Sequence, residues 1–175
     1  FHNSNIKNVN YKENLTIDYQ DIINSINDNT CCIVLANPNS PIGDIIEKEN
    51  IEKIISEACD KSIPILIDEA YIEYSQQKSC IDLLNKYSNL VISRTFSKAY
   101  GCAGLRIGYL LGSDNMMEVI QKFIPTYEIS SLSVKFGCLL LDNEDVIENY
   151  INLIKDEKNK LEALFNKYNI EYILN

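Results

Sequence analysis

Cys31-Cys-Ile-Val-Leu-Ala36 and Ile63-Pro-Ile-Leu-Ile-Asp68 decide the fold, because both stretches are short continuous apolar runs of the kind that form buried strands. The first run is ended by the turn residues Asn37-Pro-Asn-Ser-Pro41. Between the two runs, the segment from Glu49 to Lys61 repeats apolar residues at helical spacing, which predicts an amphipathic helix. Strand, helix and strand in this order are typical of a parallel βαβ unit.

The α/β pattern extends on both sides of this unit. Two more strands are predicted at Asn89–Ser93 and Ile107–Leu111. The remaining predicted elements are a hairpin-like segment and a short helix within Phe1–Asn29, helices over Asp114–Phe123, Ser131–Leu141 and Glu144 to about Tyr168, and the start of a strand at Ile170–Leu174. The apolar stripe of the long last helix is expected to pack into the core. The sequence therefore predicts an α/β fold with a mainly parallel sheet.

Composition and charge exclude several classes of function. The chain has 175 residues, of which 46% are hydrophobic, and a net charge of -9. An acidic surface repels phosphates, so we expect no nucleic-acid partner. No apolar run is long enough to span a bilayer and no basic-then-apolar signal segment opens the chain, so we expect no membrane partner and a soluble protein.

The cysteines and the histidine limit the chemistry further. The six cysteines show no C-x-x-C spacing, which favours neither a zinc site nor a disulfide framework. Four of them lie in apolar segments and are expected to act as small hydrophobes in a reducing, cytoplasmic compartment: Cys31, Cys32, Cys59 and Cys138. The only histidine is His2, so Ser-His-Asp and Cys-His systems and His-rich metal sites lack a partner.

Polar residues follow the carboxyl ends of the predicted strands, where ligands of parallel sheets bind. They are Asn37 after the first strand, Asp68 and Tyr71 after the second, and Thr95, Ser97 and Lys98 after the third. A single aspartate at such a position is more often a helix cap or a solvated turn. Several such residues at one edge favour a site instead. Lys98 stands among small residues, and a partly desolvated lysine is a nucleophile that forms Schiff bases.

Three motifs occur in order along this edge: Ala36-Asn-Pro-Asn-Ser-Pro-Ile-Gly43, Asp68-Glu-Ala-Tyr71 and Ser93-Arg-Thr-Phe-Ser-Lys-Ala-Tyr-Gly-Cys-Ala-Gly-Leu-Arg-Ile-Gly-Tyr109. Together they resemble the fold-type I, pyridoxal-phosphate-dependent aminotransferases, and within these the histidinol-phosphate aminotransferases and their relatives. The resemblance implies the three-layer α/β/α large domain of this family. It implies pyridoxal 5'-phosphate (PLP) as the cofactor, a small-molecule amino donor and a 2-oxo acid as substrates, and a homodimer.

The resemblance also implies a role for each polar residue. Lys98 would hold PLP as a Schiff base and move the α-proton of the substrate, and Asp68 would pair with the pyridinium nitrogen. The other expected contacts are Tyr71 and Asn37 with the phenolic oxygen of the cofactor, and Thr95, Ser97 and Arg106 with its phosphate. We also expect a cis peptide bond at Asn37-Pro38. Ile42 departs from the family pattern, which usually has threonine there.

Other residues near these motifs have less specific interpretations. Arg94 is expected to make a structural ion pair, and Glu69 to be solvated or structural rather than catalytic. Tyr127 is the one later residue expected to be within reach of a substrate.

The resemblance further implies parts that this sequence lacks. Family members carry a glycine-rich phosphate loop and a stacking aromatic residue ahead of this region, and a small domain with a carboxylate-binding arginine after it. We therefore expect residues 1–175 to be a partial PLP-binding large domain, an internal segment that is inactive alone. Two alternatives stay open: a PLP-dependent decarboxylase of a phosphorylated amino acid, and a non-catalytic binding or assembly module.

Overall fold

A four-stranded sheet organises the chain, for which a computed structural model describes residues 5–172. The strands are β1 (Ile33–Ala36), β2 (Ile65–Asp68), β3 (Leu90–Thr95) and β4 (Gly108–Gly112). The helices are α1 (Tyr19–Ser25), α2 (Lys48–Asp60), α3 (Asp114–Gln121), α4 (Ser131–Leu141) and α5 (Glu144–Lys167). Short 3-10 turns occupy Ile72–Tyr74, Ile81–Asn85 and Ala103–Leu105. Each observed helix and strand lies within about three residues of its predicted bounds.

The predicted βαβ unit is confirmed. β1 pairs with β2 in parallel, with Ala36 opposite Asp68, and α2 connects the two strands. The helix buries Ile51, Ile54 and Ile55 completely, as its spacing predicted. These side chains pack against the sheet in one hydrophobic cluster, so the unit aligns the carboxyl ends of β1 and β2.

The mainly parallel sheet is also confirmed. β2 pairs with β3 in parallel, with Asp68 opposite Ser93, whereas β4 returns antiparallel to β3. The antiparallel pairing of β4 with β3 needs a glycine at position 108, because a Cβ atom there would lie 2.9 Å from the backbone oxygen of Arg94. The order β1-β2-β3-β4 makes β1 and β4 the edge strands of an α/β domain.

The ends of the chain differ from the sequence prediction. No strand is present at Ile170–Tyr172, and Ile173 and Leu174 lie outside the described residues. In the predicted hairpin-like segment the structure has a turn, closed by a bond from Lys12 N to Thr16 O, without strands over residues 5–18, and residues 1–4 are not described. Within 5–172, none of the helices combines the length and hydropathy needed to cross a bilayer.

The expected core packing of α5 is wrong for most of its stripe. Ile147 is the buried residue of this helix, whereas Leu161 and Leu164 are about half exposed. Val34 on the edge strand β1 and Leu132 on α4 are also exposed, at 68% and 75%.

The expectation for the cysteines is wrong at three positions. Cys31, Cys32 and Cys138 are exposed, because the first two precede the edge strand β1 and the third lies on the exposed side of α4. Cys80, in a segment that the periodicity did not single out, is the buried thiol among the six.

Candidate active site

The candidate site lies where β1, β2 and β3 end. The backbone N–H of Asn37 donates to the Asp68 carbonyl at 3.0 Å, and the N–H of Glu69 donates to the Ser93 carbonyl at 3.0 Å. These bonds continue the parallel ladders one residue past the strands. They bring the three motifs of the sequence to one edge of the sheet.

Asp68 is fixed by two donors at this edge. The Ser93 hydroxyl donates to its Oδ1 at 2.8 Å, and the Ala70 N–H donates to the same oxygen at 3.2 Å. The carboxylate is partly exposed. It can therefore accept a further hydrogen bond from a ligand.

Lys98 and Tyr71 meet beside Asp68. The Lys98 Nζ lies 5.0 Å from the centroid of the Tyr71 ring, and the lysine side chain is exposed. Lys98 stands in a tight turn after β3, in which the Gly101 N–H donates to the Lys98 carbonyl at 2.8 Å and Gly101 has a positive φ. The Lys98 ammonium and, after it, the Ser40 hydroxyl lower the pKa of the Tyr71 phenol. An accessible amine thus lies beside a phenol whose pKa is lowered.

Asn37 is held by the turn that follows β1. Its side chain is 2% exposed, accepts from the Ile46 N–H at 2.8 Å and donates to the Ile46 carbonyl at 3.2 Å. The Asn37-Pro38 bond is cis as expected, and Ser40-Pro41 is cis as well. These contacts shape the turn and carry Ser40 to within 3.5 Å of the Tyr71 hydroxyl.

The predicted phosphate-binding residues follow β3 and precede β4. The Thr95 Oγ1 accepts from the Ser97 N–H at 3.1 Å and lies 3.4 Å from the Ile107 carbonyl, to which it donates. Arg106 is exposed in a left-handed conformation with φ of 53°, which is uncommon for a residue other than glycine. Its Nη1 donates to the Ala103 carbonyl at 3.2 Å. Thr95 and Ser97 are therefore hydrogen-bonded to each other, whereas the Arg106 side chain is hydrogen-bonded to the Ala103 carbonyl within its own turn.

A buried ionic cluster backs the site. Glu69 is 1% exposed and accepts from Arg94 Nη2 at 2.8 Å, from the Ser79 hydroxyl at 2.7 Å and from the Cys80 N–H at 2.7 Å. Arg94 also reaches Glu73 at 3.4 Å, and burial raises the pKa of that carboxyl. The expected structural ion pair of Arg94 is confirmed. Of the two interpretations of Glu69, solvated or structural, the structural one is confirmed, because the side chain is buried.

Sequence reasoning does not single out two hydroxyls of the site. Ser93 and Ser40 contact Asp68 and Tyr71, but a serine within a motif carries no distinguishing signal. Tyr127, expected to be within reach of a substrate, is 97% exposed, and its contact with a substrate stays a prediction.

A cavity of about 400 Å³ adjoins the site. Tyr71, Tyr74 and Ser40 line one side of it, and Lys155 and Lys158 of α5 line another. A larger cavity of about 840 Å³ lies between residues 5–9 and β1, and none of the predicted site residues lines it. Of these two cavities, the smaller one is lined by a predicted site residue, Tyr71.

The residues present fit PLP. Asp68 offers a carboxylate to a ring nitrogen, Lys98 offers an accessible amine, and Tyr71 offers a phenol whose ring centroid lies 5.0 Å from the Lys98 Nζ. The Ser97 hydroxyl, and the Thr95 hydroxyl once it leaves the Ile107 carbonyl, are donors that suit a phosphate.

Comparisons with known proteins show which proteins this chain is similar to. Histidinol-phosphate aminotransferase 2 of Legionella pneumophila (strain Lens) is 32% identical over 96% of this chain and 46% of its own length. The crystal structure of the histidinol-phosphate aminotransferase from Clostridium acetobutylicum superposes with a TM-score of 0.81 at 30% identity, over 89% of this chain and 47% of the other.

The histidinol-phosphate aminotransferase from Sinorhizobium meliloti, solved in complex with pyridoxal-5'-phosphate, shares the fold with a TM-score of 0.81 at 24% identity, over 90% of this chain and 43% of the other. This chain spans about half the length of the relatives it matches. The profile of the family described as aminotransferase class I and II matches residues 2–174. The chain belongs to the class I and II aminotransferase family, whose enzymes use PLP.

Proposed function

We propose that this chain forms the cofactor-binding part of a PLP-dependent aminotransferase. The reaction is the transfer of an amino group between an amino acid or a histidinol-phosphate-like amino-phosphate compound and a 2-oxo acid. The observation that carries the proposal is the meeting of Asp68, Tyr71 and Lys98 at the carboxyl ends of adjacent strands. The names of the relatives support the choice of an amino-phosphate donor.

Each residue has a role that its position supports. The Lys98 amine would hold PLP, and it would also move the proton at the substrate α-carbon. The Asp68 carboxylate accepts from the ring nitrogen and keeps it protonated. Tyr71 donates toward the phenolic oxygen of the cofactor. When bound, PLP supplies the electron sink that amino-group transfer requires.

The remaining roles complete the proposed cofactor site. Thr95 and Ser97 donate to the phosphate, and Arg106 supplies a positive charge when its side chain leaves the Ala103 carbonyl. Asn37 holds the turn, and we assign to its side chain a contact with the phenolic oxygen of PLP. A homodimer and a cytoplasmic location are part of the proposal.

Borohydride reduction tests the central assignment. The protein expressed from its complete gene is loaded with PLP, reduced and mapped by peptide mass spectrometry. We expect the label on Lys98. A label on Lys78 or Lys86 instead, both of which are exposed, would refute the assignment.

Product analysis separates the proposed reaction from its alternatives. Amino-group transfer converts the donor to an oxo compound and the 2-oxo acid to an amino acid. Release of carbon dioxide from a phosphorylated amino acid would indicate a decarboxylase instead. Neither product, with no label on Lys98, would indicate a non-catalytic module.

A further inference from the structure

Both hydrogen bonds to the Asp68 side chain end on the same oxygen. The Ser93 hydroxyl reaches Oδ1 at 2.8 Å and the Ala70 N–H reaches Oδ1 at 3.2 Å. Across the described range 5–172, no residue donates a hydrogen bond to Oδ2. The Asp68 carboxylate is thus held through Oδ1, and Oδ2 is the oxygen that it presents to a ligand.

The position of Ser93 follows from the strand register. Asp68 and Ser93 are partners in the parallel pairing of β2 and β3, so their side chains project from the same face of the sheet. The next residue of β3, Arg94, projects from the opposite face and is bonded to Glu69. The same register therefore places the ion pair on one face and the Ser93 hydroxyl beside Asp68 on the other.

We propose that Ser93 is a positioning residue, whose hydroxyl turns the Asp68 carboxylate so that Oδ2 faces the ring nitrogen of PLP. This inference rests on the proposed function and adds a residue to it. Without the Ser93 hydroxyl, the bond that remains to the carboxylate is the longer one from the Ala70 N–H, at 3.2 Å.

Two variants of Ser93 test the inference in the protein expressed from its complete gene. Ser93→Ala removes the hydroxyl, and Ser93→Thr keeps it. The control is Ser113→Ala, which removes a hydroxyl that donates to the Ser88 carbonyl at the start of α3. For each variant, the apoprotein is titrated with PLP, and the absorbance of the bound cofactor is followed against pH.

We expect Ser93→Ala to weaken PLP binding about tenfold, as the loss of one hydrogen bond to a charged group implies. We also expect it to shift the pH midpoint of the cofactor absorbance, because that midpoint responds to protonation of the ring. Ser93→Thr should restore both values, and Ser113→Ala should change neither. Wild-type affinity and midpoint in Ser93→Ala would overturn the inference.

A double variant separates positioning from simple stabilisation of the sheet. Asp68→Ala, which removes the acceptor of the Ser93 hydroxyl, is combined with Ser93→Ala. If Ser93 acts through the Asp68 carboxylate, the serine substitution has little further effect on PLP affinity in the Asp68→Ala background. An equal effect in both backgrounds would show a structural role and overturn the inference. Failure of the wild-type protein to bind PLP or to label at Lys98 is a different result, which refutes the proposed function itself.

Discussion

The Arg94 guanidinium donates two hydrogen bonds to one oxygen of the Glu69 carboxylate, from Nε at 3.1 Å and from Nη2 at 2.8 Å. Glu69 and Arg94 directly follow Asp68 and Ser93 in the sequence. Successive strand residues point to opposite faces of a sheet. The ion pair therefore lies on the face opposite to the Asp68–Ser93 contact. One register of β2 and β3 therefore aligns both the structural ion pair and the Asp68–Ser93 pair of the candidate site.

Removal of Arg94 should destabilise the fold. Arg94→Ala leaves the buried Glu69 carboxylate without its counter-ion, and we expect the free energy of unfolding to fall by about 3 kcal/mol. Equilibrium denaturation in urea measures the change. The control is Lys160→Ala, which breaks an exposed ion pair with Glu157 and should leave the urea midpoint unchanged. Equal effects of the two variants would contradict the structural role of the buried pair.

Gly108 should tolerate no side chain. A Cβ atom there would meet the Arg94 backbone oxygen at 2.9 Å, so Gly108→Ala should push β4 from β3 and lower the free energy of unfolding by about 1 to 3 kcal/mol. Gly104→Ala is the matched control, because nothing lies within 4 Å of its added Cβ atom. Urea denaturation again gives the comparison. A destabilisation of Gly104→Ala as large as that of Gly108→Ala would contradict the proposed clash.

Asp68→Asn should separate cofactor binding from turnover. The amide is nearly the same size and keeps one oxygen for the Ser93 hydroxyl, so PLP should still bind. It carries no negative charge to keep the ring nitrogen protonated, and we expect kcat to fall by about two orders of magnitude or more. Steady-state kinetics and a PLP titration measure the two properties. Near-wild-type turnover would refute the role assigned to Asp68.

Much of the fold follows from local sequence patterns. The continuous apolar runs and the spacing of Ile51, Ile54 and Ile55 predict β1, α2 and β2, because burial on a parallel sheet leaves these periodicities. The stripe of α5 has the same helical period and yet is mostly exposed. Periodicity identifies an apolar face but does not say what covers it. For the same reason, the apolar sequence neighbours of Cys31 and Cys32 do not predict whether these thiols are buried or exposed.

The site was predictable where a motif carries the chemistry. Asp68, Tyr71 and Lys98 are recognisable in sequence, and the structure brings them to one edge of the sheet. The partners that orient them are not recognisable in this way. Ser93 meets Asp68 through strand pairing and Ser40 meets Tyr71 across a turn, and both contacts join residues far apart in sequence. Such pairings depend on register, which a single sequence does not display.

Cys80 should be the least reactive thiol of the native protein. Burial raises its pKa to about 12, so the thiolate that reacts with alkylating reagents is scarce at neutral pH. We expect iodoacetamide at pH 8 to leave Cys80 unmodified until denaturant is added, while the partly exposed Cys102 reacts in the native state. Peptide mass spectrometry with and without denaturant distinguishes the two. Rapid native labelling of Cys80 would contradict its burial.

Residues 1–175 expressed alone should bind PLP weakly and show no turnover. The donors available to a phosphate are few, because the Thr95 hydroxyl donates to the Ile107 carbonyl and the Arg106 guanidinium to the Ala103 carbonyl. We expect an affinity at least about tenfold below that of the protein from the complete gene, since one charge-assisted hydrogen bond accounts for a factor of this size. A PLP titration followed by absorbance measures it, with Lys98→Ala in the same chain as the control for adducts on other lysines. Tight stoichiometric binding that Lys98→Ala abolishes, together with sustained amino-group transfer, would show that these residues hold a complete site.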